Sequence, residues 1–100
     1  MDWHPADTDL ATLALGLAAP ARVHILRLLV RRGPLTVTEL MREMPIAQST
    51  ISEHLRQLRV AGLISGKRHG RTTRYELEVP ALRRVASVVG SLATTAAVKG

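Results

Sequence analysis

Six cations and no acid lie between His54 and Tyr75: Arg56, Arg59, Lys67, Arg68, Arg71 and Arg74. A solvated helix face ordinarily interleaves both signs, so a one-sign stretch of this length suits a polyanionic partner. The plainer alternative is a basic surface that merely faces water. Around the start of this stretch stand Gln48, Ser49, Thr50, Ser52, Glu53, His54, Arg56 and Gln57. With Ile51 set at zero on a wheel of about 100° per residue, Ser49, Ser52, Glu53, Arg56 and Gln57 fall away from the Ile51, Leu55, Leu58 face, with Thr50 at the edge. Hydroxyl and amide groups in the first turn of such a helix can reach base edges in a major groove, and arginines further along can hold phosphates. Taken alone, this is equally an ordinary polar surface helix. The string Lys67-Arg68-His69-Gly70-Arg71 adds a basic hairpin tip able to lie along a DNA backbone or in a minor groove. Helix and hairpin together are more specific than either.

Other chemistries find less support. Ser and Thr are plentiful, but no Gly-rich nucleophile turn or paired carboxylate accompanies them, so no enzyme is expected. The chain has no cysteine, which excludes disulfides, thiolate metal sites and thiol redox switching. His24 reads as a half-buried packing residue beside an apolar stripe, and His69 as exposed at the hairpin tip. His54 sits on the shoulder of the core face, where packing against the hairpin or the third helix competes with a base contact. Asp2, His4, Asp7 and Asp9 could gather a divalent cation, and Asp2-Trp3-His4 would chelate copper or nickel if Met1 were removed. A polar tail is the ordinary explanation, so neither a metal site nor a cofactor is expected.

The elements that must position these residues can be read from periodicity and punctuation. Asp9 is placed to cap a first helix carrying Leu10, Leu13, Ala14 and Leu17, which Gly16 weakens. Pro20 opens a second, with Val23, Leu26, Leu29 and Val30 as its stripe, and Gly33-Pro34 ends it. Thr36 and Glu39 form a capping box for a short third helix bearing Val37, Leu40, Met41 and Met44. After a turn at Pro45 to Ala47, a fourth helix runs from about Gln48 to Ala61 and stops at Gly62. Leu63 to Lys67 and Thr72 to Val79 read as two strands. Pro80 opens a last helix with Leu82, Val85, Val89, Leu92 and Ala96 on one stripe. The fold class is therefore mainly α with a small β-hairpin wing, a winged helix-turn-helix.

The chain has 100 residues with 14 Lys and Arg against eight Asp and Glu. Asp2, Asp7 and Asp9 precede the first cation, so the basic excess belongs to the rest. One tail at residues 1–9, one DNA-binding and dimerisation domain at 10–96 and a C-terminal tail at 97–100 are expected. Neither the apolar run at Leu10 to Ala21 nor that at Val85 to Val98 suits a membrane span, and no signal peptide opens the chain, which points to a cytoplasmic protein. Leu10, Leu13 and Leu17 with Leu82, Val85, Val89 and Leu92 exceed what one small core can cover, so a homodimer is expected.

The segments Leu17 to Leu29, Leu35 to Leu40, Gln48 to Arg59 and Ala61 to Ile64 resemble the ArsR/SmtB family of bacterial winged helix-turn-helix repressors, over roughly residues 10 to 95. The resemblance implies a homodimer joined through its first and last helices, bound to an inverted repeat in double-stranded DNA and usually repressing. Gln48, Ser49, Thr50, Ser52 and His54 match the family's recognition helix, and Arg68, Gly70, Arg71 and Tyr75 match its wing. The family's best-known metal sites use cysteines in the third helix or Asp, His and Glu in the last. Here the third helix offers Glu39, Met41, Arg42 and Glu43, and the last has no acid or histidine. An inducer, if any, is expected to be a small molecule or protein, with room for a small molecule between the first and last helices at Gly16, Ala86 and Gly90. Ala47 also replaces a common capping Ser. Two alternatives stand beside this reading: a sequence-tolerant architectural DNA-binding protein and a winged-helix protein-interaction module.

Overall fold

All 100 residues are described by a computed structural model. Five helices and one hairpin follow in the order α1 (Pro5–Leu17), α2 (Pro20–Arg32), α3 (Val37–Glu43), α4 (Gln48–Ala61), β1 (Ile64–His69), β2 (Thr72–Leu77) and α5 (Val79–Lys99). Helix α1 starts well before Asp9. Pro5 occupies its first turn and the N-cap is His4, whose Nδ1 accepts from the Ala6 N–H at 3.0 Å. Asp9 instead accepts from Arg84 Nε at 3.0 Å and ties α1 to α5. Helices thus extend into both segments read as tails from the sequence.

The core gathers Leu13 of α1, Ile25, Leu26, Leu28 and Leu29 of α2, Leu40 of α3, Ile51, Leu55 and Leu58 of α4, and Leu35, Leu63, Ile64 and Ala81. The α2 stripe is rotated from the expected one. Ile25 and Leu28 enter the core, whereas Val30 is 67% exposed and Val23 only half-buried. His24, expected to pack, is exposed. Gly16 also does more than weaken α1. A Cβ there would lie 2.6 Å from Leu63 Cδ1 and 2.8 Å from Ala61 Cβ, so its lack of side chain sets how closely α1 approaches the end of α4.

Helix α2 leaves α1 at 91°, and Arg22 holds the corner. Its Nε donates to Gly16 O at 2.8 Å and its Nη2 to Leu15 O at 3.0 Å, satisfying carbonyls at the end of α1. The Thr36 capping box is formed in both directions, at 3.2 Å from the Glu39 N–H to Thr36 Oγ1 and 3.0 Å from the Thr36 N–H to Glu39 Oε1. Helix α4 begins at Ala47 with no side-chain cap and ends at Gly62 (φ 88°), where Leu63 N–H donates to Leu58 O at 3.0 Å.

Strands β1 and β2 pair antiparallel from Ile64 opposite Leu77 to His69 opposite Thr72, and Gly70 (φ 63°) allows the tight turn. The boundaries move from the expected ones: Leu63 is a fully buried connector and β1 continues to His69. A short third partner, unforeseen from sequence, joins the sheet. Leu35 and Tyr75 exchange both backbone hydrogen bonds, at 3.1 and 2.8 Å, and fasten the wing to the end of α2. Helix α5 packs through Ala81, Leu82 and Val85. Beyond these its side chains are mostly exposed, and the molecule measures 51 × 26 × 20 Å.

Candidate nucleic-acid interface

Helix α4 buries Ile51, Leu55, Leu58 and Ala61 against the core. That anchorage turns Gln48, Ser49, Thr50, Ser52, Glu53 and Arg56 to solvent, and Gln57 is half-buried at their edge. With no side chain capping the helix, the Gln48 and Ser49 N–H groups and the positive end of the helix dipole remain open to an anion, while the Thr50 and Ile51 N–H groups both donate to Ala47 O at 3.1 Å. His54 is half-buried and faces α2, its Nδ1 lying 3.4 Å from Arg22 Nη1.

Glu53 organises the middle of this surface. Its carboxylate accepts from Arg56 Nε at 3.0 Å, Arg56 Nη2 at 2.9 Å and Gln57 Nε2 at 3.0 Å. The hydrogen bonds from Arg56 and then Gln57 hold the Glu53 carboxyl down to about 2, and the same pairing with Glu53 raises the Arg56 guanidinium.

The wing divides its cations. Lys67 Nζ lies 2.8 Å from Glu76 Oε1, an ion pair that raises the ammonium above its ordinary value. Arg74 reaches Glu39 Oε1 and Pro34 O, each at 3.4 Å. Hydrogen bonds from Thr36, backbone first, with Arg74 and Arg32 nearby, lower the Glu39 carboxyl. Arg68 and Arg71 at the tip have no acidic partner. Arg71 also borders a shallow depression edged by Thr36 and Thr38 of the α3 start and Thr72 and Thr73 of β2. This hydroxyl-lined seam between α3 and the wing was not foreseen. The sequence hint was four threonines within two short stretches that the Leu35–Tyr75 bridge brings together.

The residues expected at a dimer interface separate into three sets. Leu13 is only 2% exposed and belongs to the chain's own core, which removes it from the interface set. Leu17, Leu82 and Val85 pack against that core, and Leu10 is half-buried. Val89 and Leu92 are 52% and 64% exposed. The expected small-molecule space between α1 and α5 is absent from the single chain. Gly16 is closed off by Leu63 and Ala61, Gly90 faces open space, and none of the four surface depressions joins the two helices.

The metal positions implied by the family resemblance do not fit an ion here. On α3, Glu39 closes the capping box and Glu43 is paired with Arg32. The polar side chains of α5 are only Arg, Lys, Ser and Thr. No group of three or more His, Asp and Glu assembles elsewhere, the N-terminal His4 and aspartates included. No single helix is long and apolar enough to cross a membrane.

Known proteins share this arrangement. The model of the bacterial regulatory protein arsR family matches residues 19–65, from the start of α2 into β1. The HTH-type transcriptional regulator NmtR of Mycobacterium tuberculosis is 43% identical over 72 residues, covering 72% of this chain and 59% of the relative. Across the first curated relatives, the match spans 47 to 59% of their length. Among solved structures, an ArsR family transcriptional regulator superposes with a TM-score of 0.80 at 26% identity, covering 95% of both chains. A possible transcriptional regulator for arsenical resistance superposes with a TM-score of 0.71 at 32% identity, covering 81% of this chain and 82% of the other. With the helix pair matched at the sequence level and the wing and flanking helices matched in space, the chain belongs to the arsR family of bacterial regulatory proteins.

Proposed function

We propose that the protein is a sequence-specific DNA-binding transcriptional regulator, acting as a homodimeric repressor on an inverted repeat. The observation that carries this reading is the pair of unpaired arginines, Arg68 and Arg71, on a wing that grows directly from the end of an exposed, uncapped α4. Two kinds of interaction with DNA follow from that arrangement. The α4 first turn, Gln48, Ser49, Thr50 and Ser52, reads base edges, while Arg68 and Arg71 hold phosphates. Lys67 contributes less, because Glu76 already neutralises it. His54 supports α4 from behind through Arg22. The named transcriptional regulators among the relatives favour this reading over a sequence-tolerant architectural protein or a protein-interaction module. Within these 100 residues there is no cysteine for a thiol switch, and no three His, Asp or Glu side chains come together to hold a metal, so neither chemistry is proposed for release from DNA.

The test uses a duplex selected by the protein from a random pool, measured beside the unselected pool. Arg68→Ala or Arg71→Ala weakens binding to both and lowers the salt slope by about one for each phosphate no longer neutralised. Gln48→Ala or Ser49→Ala chiefly reduces preference for the selected duplex, by about 1–3 kcal/mol for each well-formed base interaction removed. Wing variants that change only preference, with helix variants changing only the salt slope, would reverse the assignment. Failure of the unmodified protein to retard any DNA at moderate salt would leave the interaction-module reading.

A further inference from the structure

We infer that Glu53 is a specificity-determining residue of α4, which fixes Arg56 and Gln57 as one presented pair while opposing the approach of DNA of any sequence. The inference rests on the DNA-binding reading above and deepens it. Glu53 is the one acid on α4, and it stands on the same exposed surface as the residues assigned to base reading. A carboxylate there is unfavourable toward every phosphate backbone, so general affinity does not explain it. Its three hydrogen bonds indicate what it does instead.

Arg56 and Gln57 follow Glu53 by three and four positions, the spacing at which helix side chains meet. One carboxylate oxygen receives Arg56 Nε, and the other receives both Arg56 Nη2 and Gln57 Nε2. The guanidinium plane is thereby fixed at two points, and three of its five N–H donors, including both on Nη1, remain for a ligand. Gln57 keeps its carbonyl oxygen and one amide proton. A long arginine free to sample rotamers follows phosphates wherever they lie, because that interaction is tolerant of position. An arginine held in one orientation beside an amide offers a fixed set of donors and an acceptor, which only some base edges match. The carboxylate remains charged throughout the neutral range, so its opposition to phosphates is constant. On a sequence whose base edges do not match, net repulsion therefore remains rather than neutral indifference.

The experiment compares the unmodified protein with Glu53→Gln, Glu53→Ala, Arg56→Ala and the Glu53→Ala/Arg56→Ala double variant. The probes are the selected duplex and the unselected random pool, each titrated at two salt concentrations. Glu53 is exposed, and far-UV circular dichroism checks that each variant is folded. The expected result for Glu53→Ala is tighter binding to the unselected pool, by about threefold at low salt and less at high salt. The ratio of selected to unselected affinity falls by about tenfold. Glu53→Gln, which keeps one acceptor oxygen without the charge, falls between. In the Arg56→Ala background, Glu53→Ala lowers the ratio much less, because only Gln57 remains for it to position. An unchanged ratio in Glu53→Ala, an equal loss on both probes, or the same fall in ratio with and without Arg56 would each overturn the inference. Failure of the DNA-binding reading is distinct, since it shows in the unmodified protein as no preference for either probe.

Discussion

Gly16 carries opposite meanings in sequence and in space. On a helix wheel it is a weak helix former, about 1 kcal/mol worse than Ala. In the fold it lets Leu63 and Ala61 pack against the α1 backbone at distances no side chain tolerates. The two effects compete in Gly16→Ala, and the packing effect wins because Leu63 is fully buried and cannot swing aside. Chemical denaturation is expected to show a net loss of about 1–2 kcal/mol, against the gain that propensity alone would give. The lowered carboxyls of Glu39 and Glu53 have a defined sign as well. A carboxyl held lower in the folded state than in the unfolded one stabilises the fold above its ordinary value of 4.5. That contribution disappears as pH falls from 4.5 toward the folded value, about 2 for Glu53. Thermal melting from pH 6 to 2 is expected to show a shallower decline in Glu39→Gln and Glu53→Gln than in the unmodified chain. Glu53 is exposed and Glu39 half-buried at the surface, where solvent screens the pairing, so the difference is modest. Arg22 is the residue least legible from sequence. Its partners are the backbone carbonyls of α1 and His54 of α4, and nothing in its own neighbourhood of the chain marks them.

At the scale of elements, legibility followed local chemistry. The Thr36–Glu39 box, Gly33, Gly62 and Pro80 all mark real helix ends because their signals act over one turn. The face of α2 could not be read the same way. Val23, Ile25, Leu26, Leu28, Leu29 and Val30 are six aliphatics in eight positions, so the wheel offers no unique stripe and the neighbours decide which four are buried. The start of α1 is hard to read for a related reason, since a histidine cap and a proline in the first turn form a weaker signal than an aspartate. The α3 to α4 turn yields a prediction. Ala47 leaves α4 without a side-chain cap, so Ala47→Ser is expected to raise stability by about 1 kcal/mol in denaturant titration. If the open helix end also receives a phosphate, the same variant binds DNA no better despite its greater stability. The candidate interface was more legible than the core, because exposed charge and hydroxyl patterns need no tertiary partner to be seen. Which cations are already neutralised, as Lys67 is by Glu76, required the register of the hairpin.

For the molecule as a whole, the distal part of α5 projects beyond the core. Val89, Leu92 and Val98 expose apolar surface on a helix whose packing within the chain ends near Val85. On the proposed dimeric reading a second copy would cover that surface, and Val89→Asp is expected to yield monomers by sedimentation and to abolish tight DNA binding together. An unaltered dimer in that variant would place the interface elsewhere. Unpacked helix turns have little stability of their own, which has a consequence for abundance. If the last turns of α5 become ordered only when two copies meet, active protein accumulates with the square of total concentration while the dimer is scarce. On the proposed reading, promoter occupancy would then rise steeply within a narrow range of expression, with a Hill coefficient of about 2 for titration of one operator. A repressor of its own gene built this way would count its copies and settle at a fixed number per cell.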